Sequence, residues 1–230
     1  MPKAIMNWVR EVYGNGRGWH VGNMVHWNRA YYICFLDAAG HRSEDSQIRV
    51  CSSTNLHSWT SHIAIGGKAI DPNLLAVDDT LLLYGVKEVN RKGTFEFDVP
   101  SQQVVTSTKD GTTWTGPKEC FLMNHEFWHP TEFNGRHYVA CDTVGHTAHS
   151  TQHSVNPLTS EDGERCKWVT EMLHGSDEPE YCDTSGTRFG APAPSETSLL
   201  FFNDGRLLAI TRSAEIRDTR AFSQSVTPRH

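Results

Sequence analysis

The chain has 230 residues, of which 21% are charged and 37% hydrophobic, and a formal net charge of −6. It is long enough to bury a core as one β domain or two small ones, and its acidic balance argues against a nucleic-acid backbone as partner. No apolar run approaches the ~18 residues a membrane helix needs, and the start, MPKAIMNWVREVYG, lacks the hydrophobic stretch of a secretory signal.

No apolar stripe of helical period runs for three turns, whereas short β-branched and aromatic runs bounded by turn residues recur throughout. The expected class is therefore all-β. Taken in order, the first recurring element is a hairpin, an extended start followed by a polar turn and an apolar strand. It appears from Gly22 (GNMVHWNRAYYICFLD), from Asp71 (DPNLLAVDDTLLLYGVKE), from His129 (HPTEFNGRHYVACDT) and from Pro194 to Arg212, where Asn203-Asp204-Gly205 supplies the turn. A second element follows the first three: SSTNLHSW, STKDGTTW and TSEDGERCKW, ending at Trp59, Trp114 and Trp168, which lie 55 and 54 residues apart. A period near fifty with four short strands per unit predicts a β-propeller of four-stranded antiparallel blades. About four blades are visible, three complete and one partial, at roughly 19–60, 70–115, 128–170 and 194–230 of a single domain over 1–230.

In a propeller the innermost strand of each blade lines a central funnel, so residues at the start of the first strands are the ones to test. These are His20 and Asn23, Asp71, His129 and Glu132, and Glu196, with Arg212 joining from the fourth hairpin's second strand. Antiparallel pairing brings Glu196 and Arg212 to one rim. Asp71, Glu132 and Glu196 are the catalytic candidates, because glycoside hydrolysis needs a proton donor and a second carboxylate. The Asp71-Pro72 context predicts an extended approach. Trp19 and Trp128, beside His20 and His129, are candidate platforms for sugar rings, whereas Trp59, Trp114 and Trp168 are expected to pack within the repeat.

His125-Glu126-Phe127-Trp128-His129 spells H-E-x-x-H, a zinc-protease signature whose mechanism needs a helix; Pro130 and the resuming strand pattern argue against one here. His146, His149 and His153 lie in a Ser/Thr-rich loop stretch. The six cysteines form no C-x-x-C pair and read as free buried thiols. No cofactor and no metal are called for.

The second element resembles the Asp box of sialidases, S-x-D-x-G-x-T-W, with Lys109 at the usual Asp position and neither Asp nor Gly between Ser52 and Trp59. The Glu196–Arg212 hairpin, E-x-x-L-x-x-x-x-D-G-x-L-x-x-x-x-R, is similar to that of sialidases and their propeller relatives. The resemblance implies that Glu196 supports a catalytic tyrosine and Arg212 grips a substrate carboxylate. The Asp-Pro strand start at Asp71 resembles those of five-bladed arabinanase-type glycosidases. Against six-bladed sialidases the chain is short by one to two blades. It has no match to their first-arginine motif, Arg10 and Arg17 being poor substitutes, and it lacks the late blades that carry the tyrosine. The expected function is a sialidase-like exo-glycoside hydrolase acting on terminal sugars, with a glycan or small sugar as partner. One alternative is a non-catalytic glycan-binding propeller; a minor one is a zinc metalloprotease through the HEFWH segment.

Overall fold

A computed structural model describes residues 11–17, 20–40, 43–89, 101–143, 154–170, 172–174, 181–182, 188–189, 194–213 and 222–226. Among them there is no helix. The first blade pairs β1 (Val21–Trp27), β2 (Ala30–Asp37), β3 (Gln47–Ser53) and β4 (Thr60–Ile65) in chain order. The second repeats this with β5 (Ala69–Val77), β6 (Thr80–Glu88), β7 (Ser101–Thr108) and β8 (Lys118–Met123). The third is β9 (His125–Phe133), β10 (Arg136–Thr143), β11 (Ser154–Ser160) and β12 (Lys167–Trp168), with β13 (Leu173–His174) also against β11. A short ladder of β14 (Tyr181–Cys182) and β15 (Arg188–Phe189) precedes the fourth sheet, β16 (Pro194–Phe201), β17 (Leu207–Ser213) and β18 (Phe222–Val226). The three full blades and the partial fourth expected from the repeat are present. Among the described residues no helix is long and apolar enough to cross a membrane.

The core lies between blades, and the strand sequences explain why. β6 reads as an almost unbroken apolar run because both its faces are covered. Leu81 and Leu83 pack with Ile48, Val50 and Ile65 of the first blade, whereas the alternate residues Leu82 and Tyr84 pack with Phe127, Val139 and Leu158 of the third. Each such fully buried leucine contributes about 2 kcal/mol of transfer free energy. A third cluster joins Trp128, Ala140 and Val155 to Leu199, Leu207 and Ala209 of the fourth sheet.

The turns after β3, β7 and β11, which in sequence resemble Asp boxes, share one hydrogen-bond pattern, with two corrections to the sequence reading. Asp110, not the Lys109 position, is the working acid: its Oδ1 accepts the amides of Thr112 and Thr113 at 2.7 Å, while Thr108 Oγ1 accepts those of Asp110 and Gly111. These donors hold the Asp110 carboxyl far below the usual carboxylate range. In the first blade Asn55 does the same work, its Oδ1 accepting the amides of His57 and Ser58 at 2.8 and 2.9 Å. Leu56, at φ 61°, takes the left-handed place that Gly111 and Gly163 hold in the other two boxes. In the third box Asp162 accepts the amides of Glu164 and Arg165. Gly163 there has φ 73°, and a Cβ on it would lie 2.3 Å from Leu82, so only glycine fits against the preceding blade. The Tyr84 hydroxyl donates to the Gly163 carbonyl, fastening box to blade.

The repeat tryptophans behave unequally. Trp114 packs against the first core cluster, but Trp168 is 46% exposed and sits edge-on to Phe121 and His125.

Candidate functional site

Each first strand carries a β-bulge at the same place. Gly22-Asn23 face Cys34 alone, Asp71-Pro72 face Gly85, His129-Pro130 face Val139, and Ser195-Glu196 face Arg212. A bulge sets two residues against one and re-aims a side chain that a regular strand would send to a blade face. Proline is tolerated there because no ladder N–H is required. Asp71 and His129 have φ of 53° and 43°, so both are left-handed although each precedes proline. This corrects the extended approach expected at Asp71. Left-handed backbone at a non-glycine residue costs of order 1–3 kcal/mol and concentrates at functional positions.

The bulges deliver titratable groups from neighbouring blades to one place. Asp71 is 5% exposed, and its Oδ1 lies 3.2 Å from His20 Nε2. Glu196 Oε1 accepts a 2.6 Å hydrogen bond from Arg212, the residue facing the fourth bulge. Between these pairs stands Asp142 on β10, 3% exposed. Its Oδ1 accepts the Trp128 indole N–H at 2.9 Å and its Oδ2 accepts the Ser195 hydroxyl at 3.1 Å. Burial pushes the Asp142 carboxyl up; the two donors oppose this and the charges of Asp71 and Glu196 add to it, leaving the group at about 7. Burial lowers His129, against the opposing charge of Glu196. These effects place Asp142 within electrostatic reach of Asp71 and Glu196, and His129 within reach of Glu196.

Not every predicted residue joins them. Glu132 lies at the turn end of β9, exposed, with its Oε1 accepting the Gly135 amide, about 10 Å along the strand from His129. Trp128, expected as a sugar platform, is only 9% exposed and belongs to the core between the third and fourth sheets. Asn23 clasps blades instead, exchanging hydrogen bonds of 2.6 and 2.8 Å with the Leu74 backbone. The HEFWH segment is β9, which spreads His125 and His129 roughly 12 Å along a strand where the zinc mechanism requires one helical turn. Trp19, Arg10, His146, His149 and His153 lie outside the described residues. Among the described residues no group of three or more His, Cys, Asp or Glu is arranged to hold a metal ion, and Cys34, Cys51, Cys120, Cys141 and Cys166 are free thiols.

Asp142 and Ser195 were not singled out from the sequence. The signal for Asp142 is positional. Asp37, Glu88 and Asp142 each stand three residues beyond the one that faces their blade's bulge, and all three are buried.

The fold is that of the propeller glycosidases of sialidase and arabinanase type. No family model matches the sequence, and no curated protein does. Among solved structures, a protein of unknown function from Dyadobacter fermentans aligns with TM-score 0.64 at 17% identity, over 88% of this chain and 64% of that one. A Trypanosoma rangeli sialidase in complex with the inhibitor DANA aligns with TM-score 0.61 at 13% identity, over 86% and 35%. An endo-arabinase from Bacteroides thetaiotaomicron aligns with TM-score 0.60 at 12% identity, over 92% and 75%. The chain spans between about a third and two-thirds of the first two of these. At such identities the likeness defines the fold alone.

Proposed function

We propose that the chain is a carbohydrate-active propeller whose acid cluster hydrolyses a terminal glycosidic bond, as an exo-glycoside hydrolase of the sialidase-like kind. One observation carries this reading: Asp142 lies within electrostatic reach of Asp71 and Glu196 of two other blades, Asp71 paired with His20 and Glu196 with Arg212. Glu196, held by Arg212, supports the positive anomeric centre of an oxocarbenium-like transition state. Asp71, held by His20 at 3.2 Å, gives a proton to the leaving oxygen or takes one from water. Asp142 acts as a positioning and tuning residue. Neutral below about pH 7, it spares Asp71 and Glu196 a third adjacent charge, and it orients Ser195 beside Glu196. Arg212 also serves as a clamp for a carboxylate or hydroxyl group on the sugar. The fold likeness to a sialidase, an endo-arabinase and a β-fructofuranosidase supports a sugar substrate.

The test is hydrolysis of a panel of aryl glycosides, including a sialoside and an arabinofuranoside, with Glu196→Gln and Asp71→Asn as controls. Turnover of one substrate by the parent chain, lost in both variants, is the expected result. A folded parent chain that turns over none, yet binds a glycan, would instead identify a non-catalytic glycan-binding propeller.

A further inference from the structure

A cavity of about 350 Å³ is lined by His20 of the His20–Asp71 pair but by none of Asp71, Asp142 and Glu196. It lies between the segment 11–17 and the first hairpin. Its walls are Tyr13, Val21, Ile33 and Phe35, and Glu11, Arg17 and His20 also line it. The segment that roofs it is pinned in place. The Tyr13 ring packs on Phe35 at 5.3 Å and beneath the Arg49 guanidinium at 5.1 Å, Asn15 donates to Asp37 at 3.2 Å, and Arg17 donates to Asp45 at 2.7 Å and lies 3.4 Å from Asp37. Arg17 is thus paired with two carboxylates, and apart from Glu11 and His20 the rest of the lining is apolar or aromatic. Val21, paired across the ladder with Phe35, is 62% exposed, an apolar side chain left in water at the rim. A cavity of this size suits one ring system, at the lower end of small-molecule pockets.

His20 makes the cavity more than a packing gap. It lines the cavity and also makes the 3.2 Å pair with Asp71. We propose that this cavity receives the leaving group of the substrate, and that the substrate class is a glycoside with an apolar, ring-bearing aglycone, not a sugar chain. The sugar sits over Asp71 and Glu196, the bond to be broken lies at His20 and Asp71, and the aglycone enters between Tyr13, Ile33 and Val21. The mostly apolar wall favours an aromatic ring, which matches Tyr13 and Phe35, over a second sugar. The substrate assignment rests on the hydrolase reading above; binding of an aglycone by the cavity does not.

The experiment therefore has two arms. In the first, binding of free 4-methylumbelliferone is followed by fluorescence with the parent chain, Val21→Trp, which fills an exposed rim position, and Glu196→Gln. Val21→Trp is expected to weaken binding about tenfold or more, with Glu196→Gln close to the parent. No binding by the parent, or equal binding by Val21→Trp, overturns the assignment. In the second arm, the ratio of kcat/KM for an aryl glycoside to that for the methyl glycoside of the same sugar is compared between parent and Val21→Trp. A fall of about tenfold in that ratio is expected, and an unchanged ratio overturns the substrate class. Binding in the first arm with no turnover of any glycoside would defeat the hydrolase reading while confirming the cavity as a binding site.

Discussion

Asp37 and Asp142 occupy the same place in the first and third blades, three residues past the one facing the bulge, and both are buried. Their surroundings send them in opposite directions. Burial alone would raise Asp37, but hydrogen bonds from Arg49 (2.6 Å), Gln47 (3.0 Å) and Asn15 (3.2 Å) reverse this and hold it below the usual carboxylate range. Asp142 lies deeper and carries the larger burial penalty; it has two neutral donors and, instead of a guanidinium, the negative charges of Asp71 and Glu196, so it is driven up. One blade position thus gives a structural anchor where cations meet it and a proton-holding group where acids do. The strand geometry supplies a carboxyl at this position; its depth and its neighbours together decide its charge.

The largest effect should come from breaking the anchored member. Asp37→Ala leaves Arg49, with its side chain 19% exposed, without its buried partner, and removal of one member of a buried pair costs roughly 3 kcal/mol. The urea midpoint should fall accordingly. A loss below about 1 kcal/mol would mean that water already screens this cluster and that the contrast with Asp142 is overstated.

Asp142 should show the opposite pH behaviour. Its folded-state carboxyl lies above the ordinary value, so the native state binds more protons than the unfolded chain over the window from about pH 4 to about 7. Its stabilising share is complete below that window and is lost as pH rises through it. Parent stability relative to Asp142→Asn should therefore fall by about 2 kcal/mol between pH 5 and 7.5, read from urea unfolding at each pH. Parallel curves would show that Asp142 ionises normally.

The fold was legible because it is written as repetition. Hairpins recur, tryptophans return at a fixed spacing, and β6 is apolar on both faces because blades cover both. The pairing of Glu196 with Arg212 was legible for the same reason, since a tight turn at Gly205 fixes which outer residues meet. Asp142 was not, because its role depends on Asp71 and Glu196, which approach only when three blades are assembled. Trp128 misled because sequence gives proximity to a strand start but not which side of the bulge faces the core. Asn55 hid in the turn after β3 because an amide oxygen accepts the same two backbone N–H groups as a carboxylate, without the signature letter.

The smallest stability effect and a large activity effect should coincide at Arg212. Its side chain is 61% exposed and that of Glu196 37%, despite the 2.6 Å contact, and ion pairs this open contribute less than about 1 kcal/mol to stability. Arg212→Ala should leave the urea midpoint within that margin. If the guanidinium stabilises charge in the reaction, kcat/KM toward the best glycoside should fall roughly 100-fold. Arg212→Lys, which keeps the charge but loses the planar fork, should recover only part of it. A variant that loses stability and activity in proportion would make the pair a strut like Asp37–Arg49, and would leave Asp142 as the one position where the fourth sheet's charge matters.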